Sequence, residues 1–278
     1  RDISARKAAE RALRRLTVQQ RTAAEVSAQV SAILDPNALL EAVDELGAPY
    51  DAIIVDEGQD FRAEWWDALP WLLRDPYGGI LYVFYDDNQR VYRDRSPIPV
   101  DTAPFILNEN CRNTERVFDV VSCFYQGEEQ PIVLGPEGLP VEIIEYTSER
   151  EGLSKVRKTL HRLLNEQGFE LDEIAVLTAR GTGSSHVLGE RLGNVQLKDE
   201  LPLGPGEVLA TTVRRFKGLD HPAILVCEVD QRLDPDDAET LLYVATSRAK
   251  AYLVVILCTD APEAVHERLS SLEGSHLE

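Results

Sequence analysis

The stretch Tyr50-Asp51-Ala52-Ile53-Ile54-Val55-Asp56-Glu57-Gly58-Gln59-Asp60-Phe61 decides how this chain is read. Its apolar run, Ile53-Ile54-Val55, feeds directly into two adjacent carboxylates. A short, unbroken run of β-branched residues is the pattern of a strand buried on both faces, as in a parallel sheet. Open α/β sheets place their ligand chemistry at the carboxyl ends of such strands. At that tip Asp56 is placed to hold a Mg2+ ion, usually through water, and Glu57 to orient or deprotonate an attacking water. For hydrophobic-Asp-Glu alone, a solvated acidic turn after a core strand serves equally well.

Composition limits what surrounds this strand. At 278 residues the chain suits two ordinary domains or one large one. Apolar content of 44% and charged content of 28% are those of a soluble globular protein. The net charge of −19, from 29 basic against 48 acidic residues, argues against a protein that coats nucleic acid through its overall charge. A local basic groove is still allowed. No apolar stretch approaches the roughly 18 residues that span a bilayer, and no signal peptide opens the chain, so a cytoplasmic protein without a membrane partner is expected. The four cysteines, Cys111, Cys123, Cys227 and Cys258, form no Cys-x-x-Cys pair and read as reduced thiols. The five histidines are scattered, against a zinc site. The chain begins at Arg1 and contains no methionine, which suggests a piece of a longer protein.

Upstream of the carboxylate strand, residues 3–34 are rich in Ala, Arg, Glu and Gln and read as helix, as do residues 37–46. Downstream, Trp65, Trp66, Leu69, Trp71, Leu72 and Leu73 read as the core face of a helix, and Ile80–Tyr85 as a second buried strand. That strand runs into Asp86-Asp87-Asn88-Gln89-Arg90-Val91-Tyr92, so a second tip also carries polar side chains. A proline-rich link precedes Asn110-Cys111-Arg112-Asn113-Thr114, where Asn113 or Thr114 would cap a helix bearing Val117, Val120, Val121 and Phe124. Strand and helix then alternate. Val141–Tyr146, Glu173–Thr178, Glu207–Val213, Ala223–Val229 and Tyr252–Leu257 read as strands. Ser148-x-x-Glu151 is a capping box opening a helix towards Gly168, Ser184–Leu192 a short helix, and Pro235–Lys250 a helix with proline in its first turn. Such alternation means a parallel α/β sheet. Gly181-Thr182-Gly183-Ser184-Ser185 lacks the Gly-Lys-Ser/Thr ending of a phosphate loop and reads as a linker.

Five boxes in this order resemble superfamily 1 helicases of the UvrD/Rep type. Asp56-Glu57-Gly58-Gln59-Asp60 resembles the family's Asp-Glu-x-Gln-Asp. Gln89 matches a glutamine that contacts the γ-phosphate, with Asp86 and Tyr92 as its neighbours. Asn110-Cys111-Arg112-Asn113-Thr114 resembles Asn-Tyr-Arg-Ser-Thr, whose arginine touches the γ-phosphate. Thr212-Val213-Arg214-Arg215-Phe216-Lys217-Gly218-Leu219-Asp220 resembles Thr-x-His-x-x-Lys-Gly-Leu-Glu, which contacts single-stranded DNA and, through its acid, the nucleotide ribose. Tyr243-Val244-Ala245-Thr246-Ser247-Arg248-Ala249 resembles the final box, and Arg248 its γ-phosphate arginine. The box variants together are similar to the helicase half of bacterial proteins with an N-terminal nuclease-related domain.

The resemblance implies RecA-like parallel sheets flanked by helices, of the P-loop NTPase type. Residues 1–105 would be an incomplete first domain and 106–278 a complete second one. ATP and Mg2+ would be the cofactors and single-stranded DNA the partner. Asp56 would hold the metal; Glu57, Gln89, Arg112 and Arg248 would be catalytic; Lys217, Asp220 and Tyr92 would touch the nucleotide; Thr212, Arg214 and Arg215 would touch DNA. Several departures stand against this. Asp94 replaces a base-stacking tryptophan, Cys111 a tyrosine, Arg214 a histidine and Asp220 a glutamate. No Gly-x-x-x-x-Gly-Lys-Ser/Thr occurs in the chain, so by itself it is expected to hydrolyse ATP negligibly. The competing reading is a non-catalytic helicase-like module that docks a protein or nucleic acid. A phosphatase or nuclease using Asp56, Glu57 and Asp60 lacks further metal ligands.

Overall fold

The computed structural model describes residues 50–89, 97–100, 102–127 and 129–273. The helices expected over residues 3–34 and 37–46, and the positions of Tyr92 and Asp94, lie outside them. The described residues fall into two compact units, one of residues 50–85 with 97–100, the other of residues 86–89 with 102–273.

In the first unit, the run quoted above forms strand β1 (Ala52–Val55). Helix α1 (Ala63–Ala68) follows and tightens into a 3-10 turn over Leu69–Leu72, where Pro70 cannot supply the helical N–H bond. Strand β2 (Ile80–Val83) then pairs parallel with β1, Ala52 opposite Ile80 and Val55 opposite Val83. Val55 packs with Trp66 and Leu69, flanked by Ile53, Leu81 and Val83. The opposite sheet face, with Ile54, Ile80 and Tyr82, is exposed, so these strands are not buried on both sides as their composition suggests. Trp71, expected in the core, is exposed as well.

The second unit is a RecA-like α/β domain. Its elements after the short strand β3 (Glu109–Asn110) are α2 (Glu115–Cys123), β4 (Ile132–Val133), β5 (Glu142–Tyr146), α3 (Glu149–Asn165), β6 (Ile174–Thr178), β7 (Arg191–Leu192), β8 (Val195–Lys198), β9 (Glu207–Thr212), β10 (His221–Val229), α4 (Pro235–Ser247), β11 (Ala249–Cys258) and α5 (Glu263–Glu273). Seven strands form one sheet in the order β5-β11-β10-β6-β9-β8-β7. Every pairing is parallel except β7 with β8. Strand alternation sorts the core into two layers. Ala175, Leu177, Ile224, Val226, Leu253 and Val255 face α2, α4 and α5; Ile174, Val176, Leu225, Val254 and Ile256 face α3 through Val156, Leu160 and Leu163. Apolar residues on both faces of the central strands are what a helix-covered parallel sheet requires.

Local signals account for the helix ends. Ser148 Oγ accepts the Glu151 N–H, while the Glu151 carboxylate reaches back to the N–H and hydroxyl of Thr147. Asp234 caps α4 by accepting the Asp236 N–H, with Pro235 at its first position. Thr114 is the residue before α2 but makes no side-chain cap bond. The helix expected over Ser184–Leu192 is absent. Ser184 and Ser185 turn back on the Gly181 carbonyl, Gly189 takes φ +79, and Arg191–Leu192 joins β8 in a hairpin.

Candidate functional site

At the tip of β1, in the first unit, Asp56 is exposed and its Oδ1 accepts the Glu57 N–H at 2.9 Å. Glu57 has φ 54, in the left-handed region that L residues other than Asn and Asp seldom enter. Its carboxylate accepts from Gln59 Nε2 at 2.5 Å, and Gln59 is itself buried. Gly58 explains the glycine of the box. A Cβ there would lie 2.5 Å from Val83 Cγ1, and its N–H donates to the Phe84 carbonyl at 2.9 Å.

The other boxes belong to the second unit and divide between two edges of its large sheet. The amino edge, where β10 and β11 begin with His221 opposite Ala249, gathers three of them and the Lys217–Asp220 end of the fourth. Asn113 Nδ2 donates to the carbonyls of Ser247 (3.1 Å) and Ala249 (2.6 Å), tying the Arg112 segment to the start of β11. Asp220 takes Lys250 Nζ at 2.6 Å and lies 3.9 Å from Arg112 Nε. Beside them, Lys217 Nζ donates to the Gln89 carbonyl at 2.9 Å and Arg248 Nη2 to Gln89 Oε1 at 2.8 Å.

Arg248 is 1% exposed, and its guanidinium also donates to the carbonyls of Val244 and Leu219 and to Ser247 Oγ. Gln89 Nε2 in turn donates to Asp86 Oδ2, which also accepts from the Tyr243 hydroxyl. Burial, and then the Asp86 charge, hold the Tyr243 phenol well above its ordinary pKa, so it remains a donor. Arg112 keeps 43% of its side chain exposed. The structure therefore brings Gln89, Arg112, Lys217, Asp220 and Arg248 to one edge.

The carboxyl edge holds the rest. Thr212 ends β9 beside Thr178 of β6, and the chain turns over Val213 and Phe216 before crossing back to β10. Phe216 is fully buried and anchors that crossing. Arg214 pairs with Asp237 at 3.4 Å and Arg215 with Asp199 at 3.2 Å. Next to them lies a cluster that the sequence does not announce: Arg180, Glu228 and Asp230, all buried. Arg180 stands some fifty positions from the two acids, and only the register that sets Cys227 opposite Thr178 brings them together.

Among the described residues no group of three or more His, Cys, Asp and Glu side chains is arranged to hold a metal. An exposed carboxylate such as Asp56 suits a Mg2+ ion that takes its other ligands from water and phosphate oxygens. The cations Arg112, Lys217 and Lys250, with the Asp220 acid among them, suit a polyphosphate with a ribose attached. No helix of the described residues is long and apolar enough to cross a membrane.

A parallel-dominated seven-stranded sheet flanked by helices is the architecture of a RecA-like domain. Residues 207–256, from β9 into β11, match the family model of the UvrD-like helicase C-terminal domain. Over those residues the chain is similar to UvrD-like helicase C-terminal domains, which supports a helicase-related role. No curated protein matches the chain. Among solved structures, the C-terminal domain of a possible DNA helicase from Lactobacillus plantarum WCFS1 is 20% identical with TM-score 0.46, covering 58% of this chain and 96% of that one. The nonstructural protein 10 helicase of an arterivirus is 16% identical with TM-score 0.38, covering 75% of this chain. The chain spans 39% of that viral structure.

Proposed function

We propose that the chain is the C-terminal motor segment of an ATP-dependent superfamily 1 helicase or translocase acting on single-stranded DNA. The observation that carries this reading is the meeting of Gln89, Lys217 and Arg248, three residues from separate boxes, through two hydrogen bonds below 3 Å. A docking module has no need of a buried arginine bonded to that glutamine. Asp56 would hold Mg2+, which when bound neutralises charge on the phosphates. Glu57 would orient the attacking water. Arg112, Lys217 and Arg248 would face the phosphates and Asp220 the ribose. Arg248 stabilises developing charge only after its bond to Gln89 is exchanged for one to phosphate, so Gln89 would report on the nucleotide.

The chain alone lacks a phosphate loop and is expected to show negligible ATP hydrolysis. In the parent protein, whose box variants are similar to those of proteins with an N-terminal nuclease-related domain, Glu57→Gln is expected to abolish turnover while nucleotide binding persists. Retained turnover in that variant would remove Glu57 from catalysis. Hydrolysis by the chain alone, abolished by Arg112→Ala, would overturn the need for a separate phosphate loop.

A further inference from the structure

A groove of about 200 Å3 opens at the carboxyl edge of the large sheet. One wall is Thr212–Arg215; the other is Ala179–Thr182. Beneath the second wall lies the buried cluster, which the phosphate chemistry proposed above does not use. Glu228 has φ 57, a conformation strained for any residue with a Cβ other than Asn or Asp and kept only where its surroundings over-determine it.

Those surroundings are explicit. The Glu228 carboxylate accepts from Thr178 Oγ1 (2.5 Å), Ser185 Oγ (2.5 Å), the His186 N–H (2.7 Å) and Arg180 Nη1 (3.4 Å). Asp230 Oδ2 accepts from both Nε and Nη2 of Arg180. Arg180 also donates to the Ser184 carbonyl and to Glu149. Burial alone would lower the guanidinium pKa; the bond to Asp230, with the charges of Asp230 and Glu228, outweighs it, and Arg180 stays a cation. At its other end the loop closes on itself, Ser184 and Ser185 donating to the Gly181 carbonyl. The cluster thus fixes residues 184–186, and Gly181 and Thr182 are left exposed along the groove.

We propose that Glu228, Arg180 and Asp230 are positioning residues that fix the 181–186 loop, so that its Gly181 and Thr182 form the second wall of a groove seating the backbone of single-stranded nucleic acid against Arg214 and Arg215. The inference rests on the DNA-binding reading above and extends it to residues that none of the five boxes contains. A buried ion cluster seldom stabilises a fold more than an apolar plug of equal volume would; its attested use is to impose one conformation. A sugar–phosphate backbone calls for such a groove, with cations on one side and the fixed, exposed Gly181–Thr182 segment on the other.

The test is anisotropy of a labelled single-stranded oligothymidylate on the full chain, with Glu228→Gln, Thr182→Glu, Arg214→Ala and Arg215→Ala, over a range of salt. Glu228→Gln is expected to weaken binding roughly tenfold with an unchanged salt slope, because both arginines remain. Its His186 amide is expected to exchange faster while amides of the central strands do not change. Thr182→Glu, at an exposed site that cannot unfold the chain, is expected to weaken binding by a similar factor. Unchanged affinity in Thr182→Glu, or in a folded Glu228→Gln, would overturn the positioning role while leaving the DNA reading intact, provided Arg214→Ala still weakens binding. If both arginine variants bind as the parent chain does, the DNA reading itself fails and this inference with it.

Discussion

The two edges of the large sheet use arginine in opposite ways. At the carboxyl edge Arg180 is buried between Asp230 and Glu228 and held from several sides. At the amino edge Arg112 is nearly half exposed, and its nearest acid is 3.9 Å away and already paired to Lys250. A saturated, buried guanidinium organises protein; a loosely paired, exposed one is available to a ligand. Arg248 stands between these cases, buried like Arg180 but bonded to neutral oxygens of Gln89, Ser247 and two carbonyls. No carboxylate among those acceptors has to be left unpaired when it moves to a phosphate.

The largest effect expected from this contrast is on stability. Arg180→Met leaves two buried carboxylates uncompensated and is expected to cost about 3–5 kcal/mol in urea unfolding, whereas Arg112→Met should stay within about 1 kcal/mol. Equal losses would break the comparison. Next comes Arg248→Lys, which keeps the charge but loses the planar fork that reaches four acceptors. A loss of about 1–3 kcal/mol is expected, and a variant as stable as the parent chain would show that the Gln89 bond holds nothing together. At the groove, Arg214→Ala and Arg215→Ala are expected to leave stability within about 1 kcal/mol. Each should instead reduce the salt slope of oligonucleotide binding by roughly 1.

The smallest effect is a pH dependence. Burial, and then its bond to Glu142, raise the Tyr252 phenol from 10.0 to about 12. With the folded pKa above the unfolded one, the contribution to stability is complete below pH 10 and is lost as pH rises towards about 12. Tyr252→Phe should flatten that part of the alkaline stability curve; a curve of unchanged slope would remove Tyr252 from it.

Much of this arrangement is legible in the sequence because it rests on local signals. The apolar runs of β6, β9, β10 and β11, the Ser148 cap and Pro235 each state their element directly. Gly58 is legible as a required glycine only once β2 is seen to pass within contact of it. The β7–β8 hairpin was signalled by Gly193-Asn194 between Leu192 and Val195, a two-residue turn, but the helical spacing of Val187 and Leu188 with Arg191 competed with it. Helix α5 had its own signal in Pro262 followed by Val265 and Leu269 on one face. The Arg180 cluster had none, since nothing local joins residue 180 to 228 and 230. Nor does a strand-tip rule anticipate that Arg112 and Arg248 lie at the amino edge, because Arg248 reaches it through the whole length of α4.

On the proposed function the carboxyl edge takes the nucleic acid and the amino edge the nucleotide. Hydrogen exchange of the full chain, with and without a saturating single-stranded oligothymidylate, tests it most directly. New protection is expected over residues 181–186 and 212–215, with amides around Arg112, Asp220 and Arg248 unchanged. Protection confined to that second set, or absent from both, would contradict it.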